Sequence, residues 1–280
     1  MPMSSSEIKV NDIINKLMIA ESKKIDLQKF NPDYDFSINK EEAEDVLERS
    51  LRKRMSDLQH RLYAERKKAL LIVIQGVDTS GKDGTIRHVI SAFNPQGCTV
   101  KAFKEPTAED LSHDFLWRIH KGAPAKGEIV TFNRSHYEDI IQPRVHKTVR
   151  KSIWSQRYEY INSFERCLLD NGTKTIKFFL HISKEEQRKR LEERLTDPSK
   201  QWKISERDIK GLKFYNSYTA AYQDIIKRCS NLWAPWYIIP ANKKWFRNLA
   251  VGLIIVNTLE RMRPKFPKLA TNLSKIVIDN

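Results

Sequence analysis

Ala69-Leu-Leu-Ile-Val-Ile-Gln-Gly-Val-Asp-Thr-Ser-Gly-Lys-Asp-Gly84 sets the reading of the whole chain. Its opening residues are apolar at nearly every position, the pattern of a parallel strand covered on both faces rather than of a half-exposed one. Gly76-Val-Asp-Thr-Ser-Gly-Lys82 then spells G-x-x-x-x-G-K, and residues 82–93 carry helical spacing. A glycine-rich turn between strand and helix lets main-chain N–H groups converge on an anion, and the helix start adds partial positive charge. Lys82 brings a full charge to terminal phosphates. The bland alternative is a glycine turn that merely joins strand to helix.

Two residues depart from the common form of this phosphate loop. Position 83 is Asp, where a Ser or Thr hydroxyl usually binds Mg²⁺, and Asp78 sits inside the loop. A carboxylate among phosphates is repelled unless a divalent cation lies between them. Asp78 is therefore read as a metal ligand or catalytic carboxylate, against the alternative of a solvent-facing loop Asp.

Working outward, four more short apolar runs occur at 98–103, 128–132, 175–182 and 235–239. Helical patterns separate them, at 82–93, 108–121, 150–170, 183–195 and 209–228, and a last helix spans about 242–262 with Trp245, Leu249, Leu253 and Val256 on one side. Strands alternating with helices imply crossover units and a parallel sheet of five strands with helices on both faces. Residues 1–68 form a charged helical extension, in which Ala43, Leu47, Leu51, Met55, Leu58 and Leu62 make an apolar stripe that packs on the domain or on a partner subunit. The core is assigned to 69–262 and a peripheral tail to 263–280.

The run Gly127-Glu-Ile-Val-Thr-Phe-Asn-Arg-Ser-His-Tyr137 is a strand ending in polar residues, and the carboxyl ends of strands line the site in such sheets. Asn133 occupies the place of the aspartate that usually closes this strand. It can orient a metal-bound water or accept a hydrogen bond without bringing charge. Arg134 is suited to gripping a phosphate bidentately, or else forms a surface salt bridge. Ser183-Lys-Glu-Glu186 reads as a capping box starting a basic helix. There Glu185–Lys189 and Glu186–Arg190 read as i,i+4 surface pairs. The proline-broken, basic and aromatic stretch 195–208 beyond it suits a mobile lid within about 184–208, or a plain surface loop. Thr107 is a candidate N-cap, and Arg118 points either to an acceptor phosphate or to a surface acid.

Composition bounds the rest. Hydrophobic residues make up 40% of 280, enough for a packed core. Cys98, Cys167 and Cys229 are scattered and suggest neither disulfides nor a zinc site. No basic leader followed by a long apolar run opens the chain and no apolar stretch is long enough to span a bilayer, which reads as a cytoplasmic protein without a membrane partner. Fifty Lys and Arg against 35 Asp and Glu give a net charge of +15. Such a field gathers polyanions, nucleic acid or a linear phosphate polymer alike.

Several long segments, in order and with compatible spacing, resemble the polyphosphate kinase 2 family, particularly its class III members. They are GVDTSGKDGTIRHV, NPQG (94–97), FKEPT (103–107), LSHDFLWR, GEIVTFNRSHYED, DPSKQWK with Asp208 downstream, and APWYIIPANKKWFRN (234–248). The resemblance implies a thymidylate-kinase-like P-loop fold with a helical lid. It also implies reversible Mg²⁺-dependent phosphoryl transfer, with Mn²⁺ as a substitute metal, between inorganic polyphosphate and nucleoside mono- or diphosphates. AMP and ADP are the implied acceptors, with GMP and GDP beside them. Implied catalytic residues are Asp78 (also the metal ligand), Lys82, Asn133, Arg134 and Arg194. Implied nucleotide ligands are Arg118, Arg134 and Glu138. Implied polyphosphate ligands are Gly76, Ser80, Gly81, Lys82, Asp83, Gly84, Lys104, Arg194 and Lys203. Asn133 fits the class III pattern of accepting AMP as well as ADP. A homo-oligomer, dimer or tetramer, is expected. The segment after His146 is shorter than the family pattern, which leaves its contacts unassigned. The rival readings are an ATP-dependent nucleoside or nucleotide kinase of the same fold, and a nucleic-acid-binding P-loop protein. The latter lacks any recognition motif in the sequence.

Overall fold

The computed structural model describes residues 5–19, 25–204 and 206–268, with side chains from residue 10 onward except at 207 and 208. The Asp208 side chain and most of the expected tail therefore fall outside the description. The sheet contains β1 (Met18–Ile19), β2 (Ala69–Gln75), β3 (Cys98–Ala102), β4 (Ile129–Asn133), β5 (Thr173–His181) and β6 (Trp236–Pro240), in the order β1-β6-β5-β2-β4-β3. All neighbours from β6 to β3 are parallel. The sixth strand, β1, adds antiparallel to β6, with Met18 opposite Tyr237. A two-residue edge strand has no periodicity to read, which is why the sequence suggests five strands and not six.

Every residue of β2 is buried, as its unbroken apolar run requires. The strand sits between β4 and β5, so the chain runs to one side for β4 and β3 and to the other for β5 and β6. Such a reversal opens a crevice at the carboxyl ends of the strands. The glycine loop follows β2 at that point, and Asn133 closes β4 beside it, Ile74 standing opposite Asn133 in the register.

One face of the sheet is covered by the helix Lys244–Met262. It is buried from Phe246 to Val256 without a break, rather than along one side as the spacing suggests. The reason is a second layer: the helical run Lys40–Asp45, a widened π turn Val46–Leu51 and Arg52–Glu65 packs on its outer side. Asn39 starts that run, its side chain accepting from Glu41 N and Glu42 N. Ala43, Leu47, Leu51, Met55 and Leu62 are buried and Leu58 is half-buried. A Cβ on Gly252 would meet Leu47 and Leu51 at 3.2 and 3.3 Å, so the two helices close tightly on a residue without a side chain.

Several helical expectations are redrawn, 209–228 among them, which divides into Glu206–Gly211 and Tyr215–Cys229. The 108–121 helix is two short ones, Ala108–Leu111 and Trp117–Gly122, the first closed by a capping box in which Thr107 and Asp110 exchange bonds. The 150–170 helix divides into Lys151–Trp154 and Arg157–Asp170. An unforeseen helix, Glu138–His146, follows β4 despite Pro143. It is anchored from below by a wholly buried cluster. The Glu165 carboxylate accepts from Tyr137 Oη (2.9 Å), contacts His136 Nε2 (3.2 Å) and pairs with Lys177 Nζ. Burial opposes the Glu165 charge, but Lys177 and His136 outweigh it and hold the acid below its ordinary range.

Candidate active site

The glycine loop winds from Gly76 into the helix Lys82–His88. Gly81 adopts φ +102, open to glycine at little cost, and its place is doubly fixed because a Cβ there would stand 1.9 Å from Arg247 Nη1. Lys82 folds back under the loop, Nζ donating to Gly76 O (2.7 Å) and Val77 O (3.0 Å). Burial, helped by the Arg134 guanidinium, pulls its pKa down to about 8 against the attraction of Asp78, Glu138 and Asp83.

Arg134 takes φ +61, an uncommon left-handed turn for a residue with a side chain, held by its N–H donating to Ile74 O (3.1 Å). The turn delivers its guanidinium to Asp78 Oδ1 (Nη2, 2.7 Å), with Glu138 Oε2 at 3.6 Å from Nη1. Burial works against that charge, yet Glu138 and Asp78 more than offset it and raise the pKa. Arg134 is thus paired with site carboxylates and not with a surface acid. Gln142 Nε2 steadies Glu138 Oε2 at 2.9 Å. Asp83, where the loop usually has Ser or Thr, faces Asn133, where β4 usually ends in aspartate: Asn133 Nδ2 donates to Asp83 Oδ1 at 2.8 Å. Aspartates at both positions would put two carboxylates in contact.

Asp78, Lys82, Asp83, Asn133, Arg134 and Glu138 therefore form one cluster. Arg118 stands farther out, donating to Lys104 O (3.0 Å) and pairing with Asp139 (3.4 Å). Burial raises the Asp139 pKa in spite of Arg118 and Arg157. Gly81, Gly84, Arg194 and Lys203 line a separate pocket of about 600 Å³, with Thr79, Arg190, Lys244 and Arg247. Arg194 Nη1 donates to Lys203 O at 3.2 Å, tying the helix Lys184–Thr196 to the turn beyond it. Lys104 stands with Arg118 and not among these pocket residues. Ser80 is buried, its N–H already given to Val77 O (3.1 Å) and its Oγ without a partner.

Sequence reasoning missed two arginines. Arg190, read there as surface charge, is buried: Nη1 donates to Thr79 O (3.0 Å) and Ser80 O (3.3 Å), and Nη2 to Ala241 O (2.7 Å) and Asn242 O (2.8 Å). Its Nε takes the Glu186 carboxylate at 2.7 Å, so the expected capping box is only half made: Ser183 Oγ accepts from Glu186 N (3.1 Å) while Glu186 turns to Arg190. Arg190→Lys keeps the charge and loses the planar fork. It should cost about 1–3 kcal/mol in urea unfolding as the loop loosens. Arg247, also buried, lies against Gly81 and Gly84.

The carboxylates suit a hard divalent cation that keeps most of its ligands as water and phosphate. Among the described residues none donates to Asp78 Oδ2, and the side chain is 25% exposed. Among the described residues no group of three or more His, Cys, Asp or Glu is gathered for a metal.

Comparison with known proteins agrees with this fold. The family described as Polyphosphate kinase 2 matches residues 37–267. An AMP/ADP-polyphosphate phosphotransferase of Meiothermus ruber is 44% identical, over 95% of this chain and 100% of that one. An ADP-polyphosphate phosphotransferase of Rhodopseudomonas palustris is 41% identical over 89% of this chain and 91% of its own. The crystal structure of Polyphosphate Kinase 2 from Arthrobacter aurescens superposes with a TM-score of 0.90 at 37% identity, covering 94% of each chain.

Proposed function

This chain belongs to the polyphosphate kinase 2 family, and from that premise we propose that it transfers a phosphoryl group reversibly between inorganic polyphosphate and AMP or ADP, with GMP and GDP as further acceptors. The observation that carries the reading is the two-sided surrounding of one glycine loop. Acids and Arg134 gather beside it at the ends of β2 and β4, and a pocket rich in Arg and Lys opens beside Gly81 and Gly84. A linear polyanion suits the second and a nucleotide phosphate the first.

Little covalent chemistry is asked of the protein. A terminal oxygen of the nucleotide, already ionised at pH 7, attacks the end phosphorus of the polymer in line, the P–O bond to the shortened polymer breaks, and no general base is needed. Lys82 and Arg134 neutralise charge on the moving phosphoryl group, with Arg134 fixed in aim by Asp78 and Glu138. Arg118, Arg134 and Glu138 hold the acceptor. The backbone of 76–84, with Lys82, Arg194 and Lys203, holds the donor, and the segment 184–208 closes as a lid and excludes water. Asp78, with Asn133 orienting a bound water, would hold Mg²⁺, or Mn²⁺ in its place. The cation supplies charge neutralisation across the phosphates.

No helix among the described residues is long and apolar enough to cross a membrane. Work in the cytoplasm as a homo-oligomer, where both substrates are dissolved, is part of the proposal.

The test is direct. AMP or ADP incubated with polyphosphate and Mg²⁺, without ATP, should yield the next phosphorylated nucleotide. Turnover only when ATP is the donor would overturn the assignment and favour an ATP-dependent kinase of the same fold.

A further inference from the structure

Two buried arginines stand side by side behind the glycine loop, and they differ in how their charge is met. Arg190 has a carboxylate and four main-chain carbonyls. Arg247, 3% exposed, has one neutral acceptor, Asn248 Oδ1, taken by Nε at 3.1 Å and Nη2 at 2.8 Å. Among the described residues no carboxylate pairs with it, and none accepts a hydrogen bond from Nη1. A buried cation left this way costs several kcal/mol in a folded chain, and native proteins tolerate the cost where a ligand meets it.

The position says which ligand. Nη1 lies 1.9 Å from the place of a Gly81 Cβ, and Nη2 is 3.1 Å from that of a Gly84 Cβ. These two glycines let the guanidinium press against the loop backbone. Arg247 also lines the pocket shared by Gly81, Arg194, Lys203 and Lys244. Three acids line that pocket and each is engaged by another cation: Glu193 by Lys244 at 3.9 Å, Glu44 by Lys40 at 3.9 Å and Glu48 by Arg52 at 3.3 Å. Burial first, and the Arg190 charge second, press the Arg247 pKa down to about 10, as expected of a cation awaiting an anion.

We propose that Arg247 is a fixed donor subsite, gripping the phosphates of the polymer that follow the transferred one, and so helping the enzyme prefer a phosphate chain to a donor that ends in a nucleoside. This deepens the reading of the donor pocket above and rests on it. Arg194 and Lys203 reach the pocket from the segment assigned to the lid. Arg247 is held in place by burial before any donor arrives, and so grips without ordering cost.

The variant Arg247→Gln keeps size and hydrogen bonding and removes the charge. We expect the KM for polyphosphate to rise about tenfold to a hundredfold, the KM for AMP or ADP to stay put, and kcat at saturation to fall much less. Without ligand the variant should melt no lower than the wild type, because an unmet charge is gone. The rise in melting temperature that tripolyphosphate gives the wild type should shrink. Should the Gln variant not fold, Arg247→Lys is read for the same split between donor and acceptor KM. An unchanged donor KM in a folded variant, beside a wild type that uses polyphosphate, overturns the subsite alone. So does a variant that loses ligand-free stability while responding normally to tripolyphosphate, since Arg247 would then be a structural group. A wild type that ignores polyphosphate overturns the donor assignment itself.

Discussion

Replacing Lys82 with methionine should lower kcat by about 10²–10³-fold while the protein stays folded, the usual loss when one preorganised charge is removed from a developing anion. The lysine's ligand-free state makes the prediction sharper. Its Nζ is satisfied by two loop carbonyls, Gly76 O and Val77 O, and lies inside a ring of Asp78, Asp83, Glu138 and Arg134. It is aimed and charged before substrate arrives. Mixed kinetics with a large donor KM change and near-normal kcat would place Lys82 in binding only.

The depressed pKa gives the same variant a signature in stability. The folded value of about 8 lies below the ordinary 10.5, so between these values the unfolded chain binds more protons than the folded one. Stability then rises with pH across that window, and below about pH 8 the penalty for burying the charge is present in full. Wild type should therefore gain on Lys82→Met as pH climbs from 8 toward 10, read by denaturant titration at each pH. Donor phosphates work in the opposite sense, because an anion beside the lysine restores its proton. Donor binding near pH 9 should take up about one proton, seen by calorimetry in buffers of different ionisation enthalpy, and the donor KM should rise above pH 8.

How much of this was legible follows from how far apart the partners lie along the chain. β2, its loop and Lys82 are contiguous, and a continuous apolar run followed by G-x-x-x-x-G-K can be read without knowing the fold. The pairing of Asp83 with Asn133 crosses 50 residues, so each looked like an isolated departure from the motif until the register of β2 and β4 brought them together. Arg190 misled because Glu186, four residues before it, offered a sufficient local partner. The carbonyls that bury it come from 79–80 and 241–242 and have no side-chain signature. Arg247 stands in a helix whose outer cover, residues 40–65, is supplied from a distant part of the chain. The one-sided stripe seen in the sequence therefore understated its burial. The helix Glu138–His146 carries Pro143 and was hidden by it, and with it the way Gln142 steadies Glu138.

Asp78→Asn should also cost about 10²–10³-fold in kcat, for a reason separable from that of Lys82. In the proposed mechanism the carboxylate serves two partners: Oδ1 holds Arg134 at 2.7 Å, and Oδ2 would meet the cation. Asparagine keeps the shape and can still accept from Arg134, but gives up the charge that a hard divalent ion requires. The concentration of Mg²⁺ for half-maximal rate should therefore rise together with the fall in kcat, and Mn²⁺, which tolerates neutral ligands better, should recover part of the rate. Lys82→Met, in contrast, leaves the metal requirement unchanged. If Asp78→Asn lost rate with no change in metal dependence, the carboxylate would be acting only by aiming Arg134. Arg134→Lys, which cannot span Asp78 and Glu138 together, should then give a loss of similar size. Near-normal turnover of Asp78→Asn would remove Asp78 from the mechanism, leaving Glu138 as the acid that fixes the arginine.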